Sequence, residues 1–556
     1  MTKLKIALAS ATALGLMAGV ALADDNFSNV VQDGAGNSGS VVQDGSGNQV
    51  GTDLLSATQD GDQNSFDFTQ SGDGNEIGTA GTGFEQKSNR NTAEITQSSD
   101  GNKVLQVTQT GIASGSGGVA LRRNTLTIDQ GGGDGGNIVS RVSQTRVGGI
   151  LGAPGQAGNT ATITQDGSGN IVGSETIDGE GVDQSGRGHV ATLGQSGAGN
   201  RIATVMQQGV GQRATVTQEG NGNEVARVDQ RGLGNIADLH FDGNDNGVGS
   251  FDSDTRITGA WGALSQGEVW QEQGLLGLLL DPNLAGLSVF GNGNLFGVKQ
   301  SGAQNSVSGD VTGNGNQTGV VQFGQDNSAD FIVGGNDNRI YINQGLAPAN
   351  IGNEATILIT GDGNHIGAVQ SGTDNDALVT VDDGDDNTVN ISQLGIIVGN
   401  SAKVGITHGN LNDVTITQSI HNTADVGIVG SHNLLDVDQS YTSLGAANSI
   451  SVDIYGSENN RGTFTAGLPA ADTAGSLLPG QLVQNGAGNA VTLTVGTALE
   501  PNSDGNLFAF SQTGNGNTIQ GTIVGISNEV AVVQAGNANF ASFSQIGNFN
   551  SIGVNQ

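Results

Sequence analysis

Side-chain amides recur along this chain at a fixed spacing. The phrase Gln218-x-Gly220-x-x-Asn223 is repeated twelve residues later, beginning at Gln230. A primary amide both donates and accepts hydrogen bonds, so like amides stacked over one another can satisfy each other. The chemistry that this spacing predicts is hydrogen bonding between repeats rather than the making or breaking of covalent bonds.

The full motif Gln-x-Gly-x-x-Asn occurs fifteen times. Its amide pairs are Gln32 and Asn37, Gln43 and Asn48, Gln59 and Asn64, Gln70 and Asn75, Gln165 and Asn170, Gln195 and Asn200, Gln218 and Asn223, Gln230 and Asn235, Gln300 and Asn305, Gln322 and Asn327, Gln370 and Asn375, Gln484 and Asn489, Gln512 and Asn517, Gln534 and Asn539, and Gln545 and Asn550. We predict that these amides point inward and form assembly ladders. We also predict that glycine supplies the backbone conformation of a tight turn at Gly34, Gly45, Gly61, Gly72, Gly167, Gly197, Gly220, Gly232, Gly514, Gly536 and Gly547.

Between an asparagine and the next glutamine, apolar and polar residues alternate. In Asn387-x-Val389-x-Ile391-x-Gln393, a period of two places all four side chains on one face of a β-strand. A strand of about seven residues and a turn of about four give a repeat length of about eleven residues. Two such arms form a coil of about 22 residues, and coils stacked about 4.8 Å apart form a two-sided solenoid of either hand. The predicted fold class is therefore all-β, a β-solenoid with a few loop or helical insertions.

Composition restricts the function. Among 556 residues, 19 are basic and 53 are acidic, and the formal net charge is -34. Binding of nucleic-acid phosphates needs clustered Lys and Arg, so no nucleic-acid partner is predicted. The chain has no cysteine, and its stability must therefore come from something other than disulfides.

The first 23 residues have the pattern of a secretory signal peptide. Lys3 and Lys5 precede an apolar run, and Ala21-Leu22-Ala23 forms an A-x-A cleavage site. The apolar run is short for a membrane anchor. We therefore expect a secreted, extracellular protein without stable membrane insertion.

The repeats are interrupted several times. We predict a signal peptide over 1–23 and repeats of this motif over 24–110, 159–250 and 481–556, with degenerate repeats over 291–460. The interruptions are an irregular insertion over 111–158, a non-repeat insertion over 251–290 and a surface loop over 461–480. Trp261–Leu280 is compatible with a short amphipathic helix, either a docking or membrane-touching element or a cover for the apolar side of a coil. From Asn246 onward the motif glutamine is lost more often, and Asp or Thr is expected in its place.

Enzymatic signatures are missing from the sequence. It has no HExxH motif, no G-x-S-x-G motif and no cysteine, so we predict no catalytic residue, no cofactor and no metal site. Six histidines are scattered and are expected to be solvated turn residues: His189, His240, His365, His408, His421 and His432. The acidic turns at Val333–Asn338 and Asp382–Asp386 resemble those of calcium-binding β-rolls, which leaves structural calcium as an alternative.

The strand pattern Asn-x-Ala-x-Val/Ile-x-Gln, followed by x-Gly-x-x-Asn, resembles the curlin repeat of bacterial curli fibres. The resemblance covers 30–102, 159–246 and 291–556 in pieces. It implies a functional amyloid subunit that leaves through an outer-membrane secretion channel, folds on a nucleator subunit and self-associates into adhesive biofilm fibres on host or abiotic surfaces.

An alternative to fibre formation stays open at this point. The chain has many more repeats than familiar curlins, which is compatible with a non-polymerising surface adhesin, a long monomeric solenoid that presents residues 251–290 to a partner. The segment Gln545–Gln556 is repeat sequence without an evident cap. Because an uncapped coil exposes an unpaired strand edge, we expect polymerisation.

Overall fold

The computed structural model describes residues 3–6, 25–111, 123–146, 158–176, 179–252, 256, 264–273, 281–345, 350–395, 398–440, 445–498 and 502–556. The chain forms two compact units. The first comprises Met1–Ser250 and Gln266–Ala303, and the second comprises Phe251–Ser265 and Gln304–Gln556.

The first unit consists of short strands in its described part. They are β1 (Lys3–Ile6), β2 (Phe27–Asp33), β3 (Ser38–Asp44), β4 (Gln49–Val50), β5 (Ala57–Asp60), β6 (Ser65–Ser71), β7 (Glu76–Ile77), β8 (Phe84–Lys87), β9 (Thr92–Gln97), β10 (Lys103–Thr110), β11 (Thr125–Gly131), β12 (Ile138–Arg146), β13 (Thr160–Ser168), β14 (Ile171–Val172), β15 (Gly181–Arg187), β16 (Val190–Ala198), β17 (Arg201–Ile202), β18 (Thr204–Val210), β19 (Arg213–Glu219), β20 (Glu224–Val225), β21 (Arg227–Leu233), β22 (Ile236–Asp242), β23 (Glu268–Glu272), β24 (Leu284–Phe290) and β25 (Leu295–Ala303).

The described part of the second unit continues in the same way and contains one short helix. Its elements are β26 (Ser306–Thr312), β27 (Gln317–Gln325), β28 (Ser328–Gly334), β29 (Arg339–Gln344), β30 (Glu354–Thr360), β31 (His365–Gly372), β32 (Asp376–Asp382), β33 (Thr388–Gly395), β34 (Ser401–Thr407), β35 (Asp413–Ser419), β36 (Asn422–Val429), β37 (Leu434–Ser440), β38 (Asn448–Tyr455), α1 (Pro469–Ala474), β39 (Gln481–Asn485), β40 (Ala490–Val495), β41 (Leu507–Thr513), β42 (Thr518–Val524), β43 (Glu529–Ala535), β44 (Phe540–Ile546) and β45 (Ser551–Asn555).

In each unit successive strands alternate between two sheets, which we call face 1 and face 2, and every strand pairs in parallel with the strand one coil away. Face 2 of the first unit has the order β3, β6, β9, β11, β13, β16, β19, β22 and β24. The remaining strands of that unit form face 1, where some strands are split in two, as in β4 and β5. In the second unit the odd-numbered strands β27 to β45 form face 1 and the even-numbered strands β26 to β44 form face 2.

The core lies between the two faces and is made of columns of like residues. On face 2 of the first unit, Ile163 pairs with Leu193, which pairs with Val216, and all three are at most 1% exposed. A register shift of one residue would turn every such side chain outward, so the alternating pattern fixes the register. The predicted β-solenoid is confirmed for both units.

Two of the expected insertions contain regular strands. The stretch 111–158, predicted to be irregular, contains β11 and β12, whose Leu126 and Val139 are buried in the core. The expected helix over 261–280 is wrong for Glu268–Glu272, which is strand β23. Val269 is fully buried there and Gln271 lies inward beside it, because the period of two persists although the motif glycine is missing. Residues 261–263 and 274–280 lie outside the described residues.

The other two predictions concern 461–480 and the N-terminal segment. Residues 461–480 include the helix α1 and are not only a surface loop. Most of the expected signal peptide, residues 1–2 and 7–23, lies outside the described residues. Lys3–Ile6 form β1, which pairs in parallel with β2.

Candidate functional site

The inward glutamines of face 1 form a ladder of hydrogen bonds along each unit. In every step the Nε2 atom of one glutamine donates to the Oε1 atom of the glutamine in the next coil. In the first unit the order is Gln32, Gln59, Gln86, Gln109, Gln144, Gln184, Gln207, Gln230, Gln271 and Gln300, with distances from 2.5 to 2.9 Å. In the second unit it is Gln322, Gln344, Gln370, Gln393, Gln418, Gln439, Gln484, Gln512, Gln534 and Gln556, with distances from 2.8 to 3.0 Å.

The second N–H of each ladder amide of face 1 after Gln32 crosses the core. Gln512 Nε2 donates to the backbone carbonyl of Ala490 at 3.1 Å, and Gln534 Nε2 donates to that of Thr518 at 3.2 Å. Both carbonyls belong to face 2 strands. A ladder glutamine therefore binds its neighbour along the stack and ties the two faces together, which satisfies an amide that would be costly to bury alone.

Face 2 carries a glutamine ladder only in part. In the first unit it runs through Gln43, Gln70, Gln97, Gln130, Gln165, Gln195 and Gln218. The equivalent position is then Phe241 and Val289. In the second unit it is Val311, Val333, Ile359, Val381, Ile406, Ile428, Ile454, Val495, Ile523 and finally Gln545. The expectation that Asp or Thr replaces the lost glutamine is thus wrong, because the replacement is an aliphatic residue that keeps the inward position buried.

The motif asparagines form a second kind of ladder where each turn enters a strand. Asn338 donates to Asn316 Oδ1 through its backbone N–H at 3.0 Å and through Nδ2 at 3.1 Å. Asn316 Nδ2 in turn donates to the carbonyl of Gly335 at 2.8 Å. Each asparagine thus holds both the next asparagine and the next turn in register.

The turn glycines are required for two reasons. All the predicted turn glycines have positive φ, for example +111° at Gly514 and +102° at Gly220. A Cβ atom at Gly514 would lie 1.9 Å from the carbonyl oxygen of Gly536 in the next coil. The turn at Gly514 therefore stacks too closely on the next turn for any side chain, in addition to needing a backbone conformation that other residues rarely adopt.

Fourteen of the fifteen predicted glutamines bond to another glutamine in a ladder, whereas Gln545 follows Ile523 in a column of aliphatic residues. The structure also adds ladder glutamines that the full motif misses. The added ones are Gln86, Gln97, Gln109, Gln130, Gln144, Gln184, Gln207, Gln271, Gln344, Gln393, Gln418, Gln439 and Gln556. Most of them lack the glycine or the asparagine that completes the motif. The signal that finds them is the period of two between an inward aliphatic residue and the glutamine two positions later.

The family comparison agrees with this geometry. Residues 366–395 match the family model described as curlin associated repeat, and the segment includes Gln370, Asn375, Asn387 and Gln393 of the ladders. The chain contains a curlin associated repeat. The sequence resemblance is thereby confirmed at these residues, and no curated protein matches the chain in sequence.

Two histidines are buried, contrary to the expectation of solvated turns. His189 occupies an asparagine ladder position, where its backbone N–H donates to Asn159 Oδ1 at 3.2 Å and its Nδ1 accepts from the backbone N–H of Gln212 at 3.4 Å. It is fully buried, and desolvation lowers its pKa to about 4. His365 is 2% exposed. His189 is buried because the asparagine position before a strand is buried whichever residue fills it. His365 is instead the first residue of β31, on the outer side, where it lies against Arg339.

The acidic turns of successive coils stack over one another on the surface of the second unit. Asp362 donates its backbone N–H to Asp385 Oδ1 at 2.8 Å, and Asn336 does the same to Asp362 at 2.6 Å. Within the described residues no group of three or more His, Cys, Asp or Glu side chains is arranged to hold a metal ion. The turn carboxylates thus bind neighbouring backbone amides, as the motif asparagines do.

Three residues of the 251–290 insertion, Phe251, Asp252 and Leu264, lie on the outer side of the second unit. Phe251 and Leu264 pack against Val321 and Tyr341 on face 1. Asp252 accepts hydrogen bonds from Gln317 at 2.9 Å and from Arg339 at 2.8 Å. The described part of the insertion therefore covers apolar surface, one of the two roles expected for it. No helix in the described part of the chain is long and apolar enough to cross a membrane.

One edge of the second unit is unpaired, and we call it the open edge. It consists of the sides of β44 and β45 that face away from β42 and β43, and no described strand pairs with it. The helix α1 covers the outer surface nearby: Ala470 and Ala474 pack on Ala531, and Ala470 N–H donates to Ser551 Oγ at 3.1 Å. This helix supports β45 from the side without pairing with the open edge.

Proposed function

We propose that this chain is an exported structural subunit of curli-like amyloid fibres at a bacterial cell surface, supporting adhesion and biofilm matrix. Copies would join by continuing the backbone pairing and the amide ladders from one chain to the next. The matched curlin associated repeat and the solenoid fold support a structural role. Adhesion, biofilm and the extracellular location are inferred from that repeat family and from the signal-peptide pattern.

The amide ladders that run from coil to coil are the single observation that carries the proposal, and the open edge is where they would continue. Gln556 N–H donates to the carbonyl of Val533, and Gln556 C=O accepts from Ala535 N–H. Because backbone groups point to alternate sides along a strand, the N–H groups of Gly553 and Asn555 point to the open edge. Unpaired strand groups of this kind template the pairing of another chain.

The ladders make that pairing specific. Within the second unit each added coil brings a buried glutamine and two asparagines that fit the coil before it, with distances near 3 Å. A further chain with the same spacing can extend all of these bonds together. Cross-β stacks of identical amides are stable for this reason.

The export route and its partners rest on the resemblance alone. An outer-membrane secretion channel and a nucleator subunit would be needed if the chain follows the curlin route. A chain without cysteine suits a route in which the protein crosses the membrane unfolded and folds outside. Host or abiotic surfaces are the proposed adhesion targets.

Assembly of residues 24–556 after dilution from denaturant tests the proposal. We expect sedimentable fibres, visible by electron microscopy, that resist detergent. Asn555→Pro removes one N–H from the open edge while the pairing of β45 with β43 is kept, so it should block assembly. Asn555→Ala is the matched control and should assemble normally. A chain that folds but stays monomeric would contradict the proposal and would support the monomeric adhesin.

A further inference from the structure

Several asparagines of this chain are followed directly by glycine. They are Asn221, Asn246, Asn292, Asn314, Asn485 and Asn515. Asparagine is a chemically labile residue, because the backbone nitrogen of the next residue can attack its side-chain carbonyl carbon, Cγ. Glycine permits this attack best, since it has no Cβ and the widest choice of backbone conformations. Each of these pairs is therefore a potential site of spontaneous deamidation.

The reaction needs only water. A bond forms between the glycine nitrogen and Cγ, the bond from Cγ to Nδ2 breaks, and Nδ2 leaves as ammonia with the proton of the glycine nitrogen. Water then opens the cyclic succinimide at one of its two carbonyl carbons. One opening gives aspartate. The other gives isoaspartate, in which the backbone runs through the side chain and is one carbon longer.

The stacked turns hold the reacting groups of Asn221 apart. Its Oδ1 atom accepts from the backbone N–H of Ala198 at 2.9 Å, and the N–H of Gly222 donates to the Ala198 carbonyl at 3.0 Å. One residue of the adjacent turn thus binds both the side chain that would be attacked and the nitrogen that would attack it. Both bonds must break before the ring can close.

The same arrangement recurs in other turns. Ala487 N–H donates to Asn515 Oδ1 at 2.9 Å, and its carbonyl accepts from Gly516 N–H at 2.8 Å. At Asn292, Oδ1 accepts from the backbone N–H and the Nδ2 of Asn244, at 2.9 and 2.8 Å, and the following glycine donates to the Asn244 carbonyl at 2.9 Å. The protection is thus a property of the turn and recurs in both units.

Asn246 is protected within the asparagine ladder. It is 1% exposed, and Asn294 donates to its Oδ1 through the backbone N–H and through Nδ2, both at 3.0 Å. The N–H of Gly247 donates to the Asn294 carbonyl at 2.7 Å. Here too a single residue of the next coil binds both reacting groups.

Asn485 differs from these asparagines. It is the last residue of β39, where it is exposed and lies on the outer side. Among the described residues none forms a hydrogen bond with its side chain. The N–H of Gly486 donates to the carbonyl of Ser440 at 3.2 Å, which is longer than the corresponding bonds at Asn221, Asn292 and Asn515.

We infer that Asn485 is the asparagine that deamidates in the folded chain, whereas the stacked turns and the asparagine ladder protect the other Asn–Gly pairs. At Asn485 the amide is free to rotate onto the nitrogen of Gly486, and one long hydrogen bond has to open. At the protected pairs the side chain and the glycine nitrogen are both bound. This site is a property of the folded chain and does not depend on fibre formation.

The two products have different effects on the second unit. Asp382 ends β32 at the position that corresponds to Asn485, so aspartate fits there. Isoaspartate lengthens the backbone directly before Gly486, where an added Cβ would already lie 1.9 Å from the carbonyl oxygen of Gly514. It also displaces the Gly486 carbonyl, which accepts from Asn448 Nδ2 at 2.8 Å. Isoaspartate at position 485 therefore disrupts the stack at this coil.

Peptide mapping by mass spectrometry tests the site. The folded chain is incubated in mildly alkaline buffer, and the conversion of Asn485 is compared with that of Asn221, Asn246, Asn292 and Asn515 in the same digest. We expect the protected sites to react at least about tenfold more slowly than Asn485, a factor that corresponds to about 1.4 kcal/mol of hydrogen bonding. The chain unfolded in urea is the reference, and there the sites should react at similar rates.

Either of two results would overturn the inference. One is a folded chain in which Asn485 reacts as slowly as Asn515. The other is a folded chain in which Asn221 and Asn515 react as fast as they do in urea, because the stacked turns would then give no protection.

Variants at position 485 test the consequence. N485T carries the residue that occupies this position in the next coil, Thr513, and has no amide to lose. After incubation the natural chain should lose urea stability in its second unit in proportion to its isoaspartate content, whereas N485T should keep its midpoint. Fresh N485D should unfold close to the natural chain, because aspartate fits the position. Equal losses in the aged natural chain and aged N485T would place the damage elsewhere and contradict the inference.

Discussion

Gln370 Nε2 donates to Gln393 Oε1 at 3.0 Å, and the two side chains are 0% and 2% exposed. Both residues lie in the segment that matches the curlin associated repeat. A single hydrogen bond thus joins two coils through the buried core. The stack is held by many such bonds, each dependent on the residue above and the residue below.

Replacing one ladder glutamine should therefore disturb three coils. Gln393→Leu leaves Gln370 without its acceptor and Gln418 without its donor. We expect a loss of about 2–5 kcal/mol, since each buried unpaired group costs about 1–3 kcal/mol. The urea midpoint of the second unit measures the change. Ser392→Ala, on the outer side of the same strand, is the control and should shift the midpoint little; equal shifts would contradict the buried ladder.

The turn glycines should tolerate no side chain. Gly514→Ala places a Cβ 1.9 Å from the Gly536 carbonyl oxygen at φ +111°, and we expect a loss of at least about 2 kcal/mol. Gly405→Ala is the matched control, because that glycine is in a strand and nothing lies within 4 Å of its added Cβ. Thermal unfolding distinguishes the two variants. A Gly514 variant as stable as the Gly405 variant would show that the turns do not stack as described.

His189 should make the first unit acid-sensitive. Its folded-state pKa of about 4 lies below the ordinary value of 6.5, so the unfolded chain binds the proton more tightly. The stabilisation is complete above pH 6.5 and is lost as the pH falls toward 4, by about 3 kcal/mol. His189→Asn restores the ladder residue and should remove this loss. Hydrogen exchange of β16 at pH 7 and pH 4.5 in both proteins measures it, and equal acid sensitivity would exclude His189 as the cause.

Protonation of carboxylates in the second unit should stabilise that unit, whereas protonation of His189 destabilises the first unit. Burial, then the neighbouring Asp436, raises the pKa of Asp438; burial also raises the pKa values of Asp413 and Asp453. A raised folded-state pKa means that the folded unit binds the proton more tightly, so stability increases as the pH falls from neutral through these values toward the unfolded value of about 3.9. Asp438→Asn should be more stable than the natural chain at pH 7 and should show a smaller gain on acidification. A lower stability of this variant at pH 7 would contradict the assignment.

Assembly should also be faster in acid. The formal net charge is -34, and acidic turns stack over one another, as Asp362 and Asp385 do. Like charges about 5 Å apart repel and slow the approach of further coils. We expect faster fibre growth at pH 4 than at pH 7, followed by light scattering, with added salt reducing the difference. Identical rates at the two pH values would show that the acidic turns do not control assembly.

The sequence alone predicts the fold correctly, because the spacing of the motif and the two-residue period of the strands indicate the same stacked coils. Asn387, Val389, Ile391 and Gln393 lie on one buried face, as the alternation predicts. The motif failed to identify coils in which an aliphatic residue replaces the glutamine at the same inward position. Ile359 occupies a glutamine position and stays buried, so a search for amides misses the coil although its geometry is intact.

The predictions for Gln271 and His189 were wrong for the same reason, because position in the repeat was not considered. Gln271 lies in a strand without the motif glycine, inside a stretch whose tryptophan and leucine content suggested a helix, yet it is bonded to Gln230 and Gln300. His189 was expected in solvent because the histidines sit in or beside turns, but the asparagine position that it fills is buried. Burial in a stacked coil is set by position in the repeat, whereas residue type alone predicts it poorly.

Fibre diffraction from aligned assemblies of residues 24–556 is the most direct test of the central claim. If copies join by extending the parallel pairing and the amide ladders, the pattern has a sharp meridional reflection at about 4.7–4.8 Å and an equatorial reflection near 10 Å. Assemblies without the meridional reflection, or a chain that stays monomeric under all conditions in which it folds, would contradict the account.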